Sequence, residues 1–185
     1  LVNNREREYI FADLPDIGYS TDIDTVMASS YQVKKQLQQI VKIEQPITNT
    51  LLYKRILRIW NLTRVTTRLQ VFIDSLLEDA YKDPLSGDTI IYWEDEEKAK
   101  DCDFYRINSK RDILDIPILE VMSAARYAIE QQISMPIEDL KRLTSQLLGF
   151  SRKGTNLDMV TEQTIQLLID KGIFSHANGM VSMNN

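Results

Sequence analysis

The sequence predicts a mainly α chain with small β hairpins, an α+β fold built as a tandem winged helix-turn-helix. Three observations carry this. Apolar residues recur at helical spacing in two successive groups of three segments. Each group is followed by two short apolar, strand-like runs. Glycine and proline number only 6 and 5 in 185 residues, too few for an all-β sandwich or a collagen-like chain.

The expected organisation is a lead-in arm over 1–30, a first unit over 31–112 and a second over 113–185. Two units of about 70 residues can each fold alone, though marginally. The lead-in carries a candidate strand at Tyr9–Phe11, then loop chemistry from Asp13 to Asp24 with Pro15, Gly18 and four Asp. From Ser30, Val33, Leu37, Ile40 and Val41 mark one apolar helix face, and Pro46 stops it. Thr48 is the expected cap of a second helix holding Leu51, Leu52, Ile56, Leu57 and Trp60. Thr63 is the expected cap of a third, holding Val65, Leu69, Phe72, Ile73, Leu76 and Leu77. Asp83 to Asp88 reads as a turn. Thr89–Trp93 and Phe104–Ile107 then read as a hairpin around the polar loop Glu94–Asp103. The aromatic pairs Tyr92-Trp93 and Phe104-Tyr105 should each place one ring on the helices and one across the hairpin.

The same order returns. Pro117 opens a helix carrying Ile118, Leu119, Met122, Ala125, Ile129 and Ile133. Pro136, at a first helical position, opens one carrying Ile137, Leu140, Leu143, Leu147 and Leu148. After a turn containing Gly154, a third helix carries Leu157, Val160, Ile165, Leu168 and Ile169 and ends at Gly172. Asn178-Gly179 between Ile173-Phe174 and Met180–Met183 is a hairpin signal.

Residues of the second unit also carry a resemblance. Glu138–Leu140, the string Leu147-Leu-Gly-Phe-Ser-Arg152, Gly154 and the apolar spacing to Lys171–Ile173 resemble a bacterial family of unknown function. That family lies at the C-terminal end of large superfamily I DNA helicase-related proteins. Ile47–Leu77 and the polar hairpin resemble its upstream part, so the resemblance covers residues 35–185. It implies a parent ATPase, with the helicase and nuclease-like domains of the parent chain as partners. Leu1 in place of Met points the same way, to a piece of a longer chain. No Gly-x-x-x-x-Gly-Lys-Ser/Thr phosphate loop occurs here, so ATP hydrolysis is not expected of this fragment.

Composition narrows the chemistry further. One Cys and one His argue against a zinc knuckle, a disulfide scaffold or a Cys–His nucleophile. No apolar run can span a bilayer. No cofactor, metal or membrane contact is expected, and the location expected is cytoplasmic. Glu94–Glu97 with Asp101 and Asp103 lacks the central Gly of a calcium loop. His176 reads as a solvent-facing turn residue and Cys102 as an inert thiol.

Charge is uneven. Between Ile47 and Ile73 stand Lys54, Arg55, Arg58, Arg64 and Arg68 with no carboxylate. From Gly87 to Asp103, seven carboxylates face Lys98 and Lys100 alone. Arg64, Thr67 and Arg68 fall opposite the apolar stripe, where a third helix meets base edges and phosphates. Arg152 and Lys153 precede the corresponding helix of the second unit and could hold a phosphate at its N-terminus. Asp158 and Glu162 on that helix oppose this. The expected function is therefore non-catalytic: engaging or positioning DNA for a helicase-like parent through these eight residues. The competing class is a protein-interaction module, which the net charge of −5 fits at least as well. There the arginines would pair with the acidic wing. A stand-alone transcriptional regulator is a third and weaker reading.

Overall fold

The computed structural model describes residues 3–184, so Leu1, Val2 and Asn185, the ends of the expected lead-in and second unit, lie outside the described residues. The fold is α+β, with eight α-helices and three small sheets among the described residues. Contacts divide the chain into two compact units. The first is Ile10–Asp101. The second joins the described residues up to Tyr9 to those from Cys102 onward. The expected lead-in is thus shared between the units, and the boundary falls at 101–102 rather than 112–113. The strand expected at Tyr9–Phe11 stands instead at β1 (Glu6–Glu8), which belongs to the second unit.

In the first unit, α1 (Ile23–Ala28) leads into α2 (Ser30–Glu44). A two-residue strand β2 (Ile47–Thr48) follows, then α3 (Asn49–Ile59) and α4 (Thr67–Leu76). The α2 stripe Val33, Leu37, Ile40 and Val41 is buried as its spacing predicts. It packs with Leu51, Leu52 and Ile56 of α3 and Leu69 and Ile73 of α4. Each such buried side chain contributes about 1.5–3 kcal/mol relative to exposure. Ala12 and Val26 join the same core, so the segment before α2 is part of the fold.

The cap of α3 is Thr48, whose Oγ1 accepts from the Leu51 amide at 3.3 Å. The cap of α4 is Thr66 rather than Thr63, and its Oγ1 accepts from the Leu69 amide at 3.2 Å. An N-cap reaches the amide two or three residues on. Both threonines suit the role by type, but only Thr66 stands three before the first buried residue of the helix. The segment between turns through Asn61, at φ 47°.

The expected hairpin of 89–93 with 104–107 does not form. β4 (Ile91–Trp93) lies between β2 and β3 (Tyr81–Lys82), antiparallel to both. The turn at Asp83–Asp88 is therefore the hairpin loop. The polar stretch beyond it holds a helix, α5 (Glu96–Lys100), because the Asp95 carboxylate caps it by accepting from the Lys98 amide at 2.9 Å. β5 (Tyr105–Ile107) pairs in parallel with β1 in the second unit.

The second unit continues through a short 3-10 turn (Ile113–Asp115), α6 (Ile118–Glu130), β6 (Met135–Pro136), α7 (Ile137–Leu147) and α8 (Thr155–Asp170). Pro117 and Pro136 each immediately precede their helices. The unit ends in β7 (Phe174–Ala177) and β8 (Met180–Met183). Their turn puts Asn178 at φ 53° and Gly179 at φ 75°, the two positive values a two-residue hairpin needs. The core gathers Ala125, Ile129, Leu140, Ile165, Leu168, Phe174 and Val181. Both units thus run helix, short strand, helix, helix, strand, strand, and in both the last strand lies between the other two.

A buried charge cluster organises the second unit. Glu120, on α6, has no exposed surface. It accepts from Arg111 Nη1 at 2.7 Å and Nη2 at 2.8 Å, from the Arg106 backbone amide at 3.0 Å, and from the Arg106 guanidinium. The Tyr9 ring lies 5.0 Å from the Arg106 guanidinium and 4.3 Å from that of Arg111. Burial alone would raise the carboxyl. The Arg106 charge and the Arg111 bonds outweigh burial and hold it at about 2.

Two predictions follow from this packing. Thr66→Ala should lower stability in urea unfolding by about 1 kcal/mol, and Thr63→Ala by much less. Equal costs would return the cap to Thr63. A depressed carboxyl stabilises the fold above its unfolded value of 4.5 and loses that contribution as pH falls toward about 2. Glu120→Gln should cost about 3–5 kcal/mol at neutral pH. The variant should also lose stability less steeply than the natural chain over that acid range. An unchanged acid profile, followed by circular dichroism, would contradict this assignment.

Candidate functional site

The five cations of residues 47–73 do not share one environment. On α3, Leu51, Leu52, Tyr53, Ile56 and Ile59 face the core, which leaves Lys54 and Arg58 on the exposed side. Arg55 sits at the margin and turns inward. Its Nε lies 2.9 Å from Glu44 Oε1 and its Nη2 lies 2.9 Å from Oε2, and the side chain is only 15% exposed. Glu44 is fully buried and also accepts from the Ala12 amide at 3.1 Å. Arg55 is therefore engaged with a buried carboxylate inside the fold, while Lys54 and Arg58 are exposed.

Arg58 pairs with Asp13 at 3.8 Å, and Arg68 with Asp24 at 2.7 Å. Arg64 is exposed in the bend before α4 and has no ion pair among the described residues. Thr67, the first residue of α4, is exposed beside Arg68. The partners of Arg58 and Arg68 come from the lead-in and not from the acidic segment after β4. In that segment Asp95 caps α5 and Glu97 bonds Lys100 at 3.0 Å. Asp103 belongs to the second unit, where it meets Arg5 at 3.1 Å and Arg126 at 3.3 Å.

In the second unit, Arg152 and Lys153 are exposed in the turn before α8, whose N-cap Gly154 supplies no side-chain bond. They line a cleft of about 610 Å³ with Lys141, Arg142, Phe150 and Ser151. Lys141 is the buried cation of this cleft. Its Nζ lies 2.7 Å from Asp158, 3.4 Å from Glu138 and 3.5 Å from Glu162. Burial would lower its ammonium, but the bonds to Asp158 and Glu138 outweigh burial and raise it. The outward face of α8 presents Asp158, Met159, Glu162, Gln163, Gln166 and Asp170. From Thr155 to Asp170 the helix has three carboxylates and no cation.

Tyr92, Trp93, Phe104 and Tyr105 are all buried, and the hairpin across which one ring of each pair was expected to lie does not form. Tyr92 packs into the core of the first unit, and the Trp93 indole N–H donates to Asp83 at 2.9 Å. The second two lie in the other unit, in or beside β5. None offers a face for base stacking. His176 lies on β7, exposed. Among the described residues no group of three or more His, Cys, Asp and Glu could hold a metal, and no helix is long and apolar enough to cross a membrane.

The roles of Asp13, Asp24, Glu44 and Lys141 are not among those expected from the sequence. A signal existed for the first three: Glu44 lies on the apolar stripe of α2, and the two aspartates belong to a charge pattern. The Asp-rich block at 13–24 and the carboxylate-free cationic block at 47–73 are complementary in charge.

A family described as "Protein of unknown function (DUF3320)" matches residues 28–71, from the end of α1 to the middle of α4. The Leu147–Gly154 string lies outside that match. No curated protein and no solved structure matches the chain.

Proposed function

We propose that each unit is a winged helix and that the chain is a non-catalytic module that docks onto protein rather than DNA. The winged-helix reading is supported by the repeated element order and by the strand order with the last strand central. In that fold the third helix enters the major groove. Those helices are α4 and α8. The observation that carries the docking reading is the charge of α8: Asp158, Glu162 and Asp170 with no cation on the helix itself, so that the single Lys141 ammonium shared by Asp158 and Glu162 leaves the face net negative. A phosphate backbone needs clustered cations and is repelled by such a face. On α4 the single cation, Arg68, already pairs with Asp24.

The parent we propose is a superfamily I helicase-like ATPase, with its motor and nuclease-like domains as the proteins engaged and the cytoplasm as the compartment. That part rests on the resemblance alone. A second reading, DNA contact through Lys54, Arg58, Arg64 and Arg68, is favoured by the exposure of Arg64 and the lack of carboxylates across 47–73.

The test is titration of the chain against a labelled duplex, a labelled single strand and a labelled Lys/Leu amphipathic helical peptide, at about 50 mM and about 200 mM salt. The expected result is saturable binding of the peptide alone, lost in Asp158→Lys/Glu162→Lys. Micromolar binding of the duplex by the natural chain, falling steeply with salt, would return the assignment to DNA.

A further inference from the structure

The segment from Ile10 to Asp24 lies along the cationic side of α3 and the start of α4. The Phe11 ring lies 4.4 Å from the Arg55 guanidinium and 5.0 Å from that of Arg58. Asp13 meets Arg58 and Asp24 meets Arg68. The backbone is tied down between these points. The Ile17 amide donates to the Ile59 carbonyl at 2.9 Å, the Thr21 hydroxyl donates to the Trp60 carbonyl, and Asn61 Nδ2 donates to the Tyr19 carbonyl at 3.3 Å. Ala12 and Val26 anchor the two ends in the core.

The segment also balances the face it lies on. Four cations point outward there: Lys54, Arg58, Arg64 and Arg68. The segment brings four carboxylates: Asp13, Asp16, Asp22 and Asp24. Two of these stand on arginine side chains, where the phosphates of a nucleic acid would have to stand.

We propose that the α3–α4 face is a latent site for a phosphodiester backbone, held shut by Asp13 and Asp24. The cover is electrostatic, so opening it does not require the anchored segment to leave. Both ion pairs are solvent-exposed, and such pairs contribute little to stability. Neutralising them therefore leaves the fold in place and frees two arginines for phosphate. The proposal rests on these pairs and not on the docking role given to α8.

The experiment compares duplex binding by the natural chain and by Asp13→Asn/Asp24→Asn, with thermal unfolding of both as the check on folding. Asp22 is left intact because it caps α1 through the Thr25 amide. The paired variant should bind a labelled duplex about tenfold more tightly at about 50 mM salt. Its log affinity should fall with log salt more steeply by about 1.8, the release from two phosphates. Adding Arg58→Glu/Arg68→Glu to the variant should remove the gain. Affinity within about twofold of the natural chain would overturn the proposal, as would a gain that survives loss of the two arginines. Tight binding by the natural chain bears on the docking reading. The ratio between the two chains bears on the cover.

Discussion

A carboxylate with no exposed surface must be paired, and Glu44 finds partners in two directions. One oxygen takes the Ala12 amide, and both take the Arg55 guanidinium. The last residue of α2 is thereby joined to the middle of α3 and to the segment before α1. Removing one partner of such a pair is costly because the other stays buried and charged. The consequences extend to the surface. With Arg55 turned inward, Phe11 lies over its guanidinium and that of Arg58, and Asp13 comes to rest beside Arg58. Glu120 plays a corresponding part in the second unit, joining α6 to β5 and to Arg111.

The helices were legible because their apolar residues repeat at helical spacing. Thr48 and Asn178-Gly179 were legible because a cap and a two-residue turn each demand a residue type at a set place. The sheets were less so. β2, β3 and β6 are two residues long, too short for any alternation to show. The partner of β5 is β1, about a hundred positions away along the chain, and a period-two pattern says nothing about such pairing. The polar stretch after β4 looked like a loop because α5 has no buried residue to mark a face.

The candidate site was legible as a set of cations and illegible as a surface. Counting charge within a block treats neighbours in sequence as neighbours in space. Arg55 and Arg58 are three residues apart, yet one turns inward onto Glu44 and the other is half exposed. The deciding residue was visible in one respect. Glu44 follows Val33, Leu37, Ile40 and Val41 on the same α2 stripe, and a carboxylate there calls for a buried cation. Arg55, four after Leu51 on α3, is positioned to supply it.

The first unit depends on the Glu44–Arg55 pair, and a double-mutant cycle in urea measures that directly. Glu44→Gln and Arg55→Met should each destabilise the chain by about 2–4 kcal/mol. The double variant should cost well below their sum, with a coupling of about 2 kcal/mol or more. Additive costs, or an Arg55→Met variant as stable as the natural chain, would contradict the account and return Arg55 to the exposed cationic face.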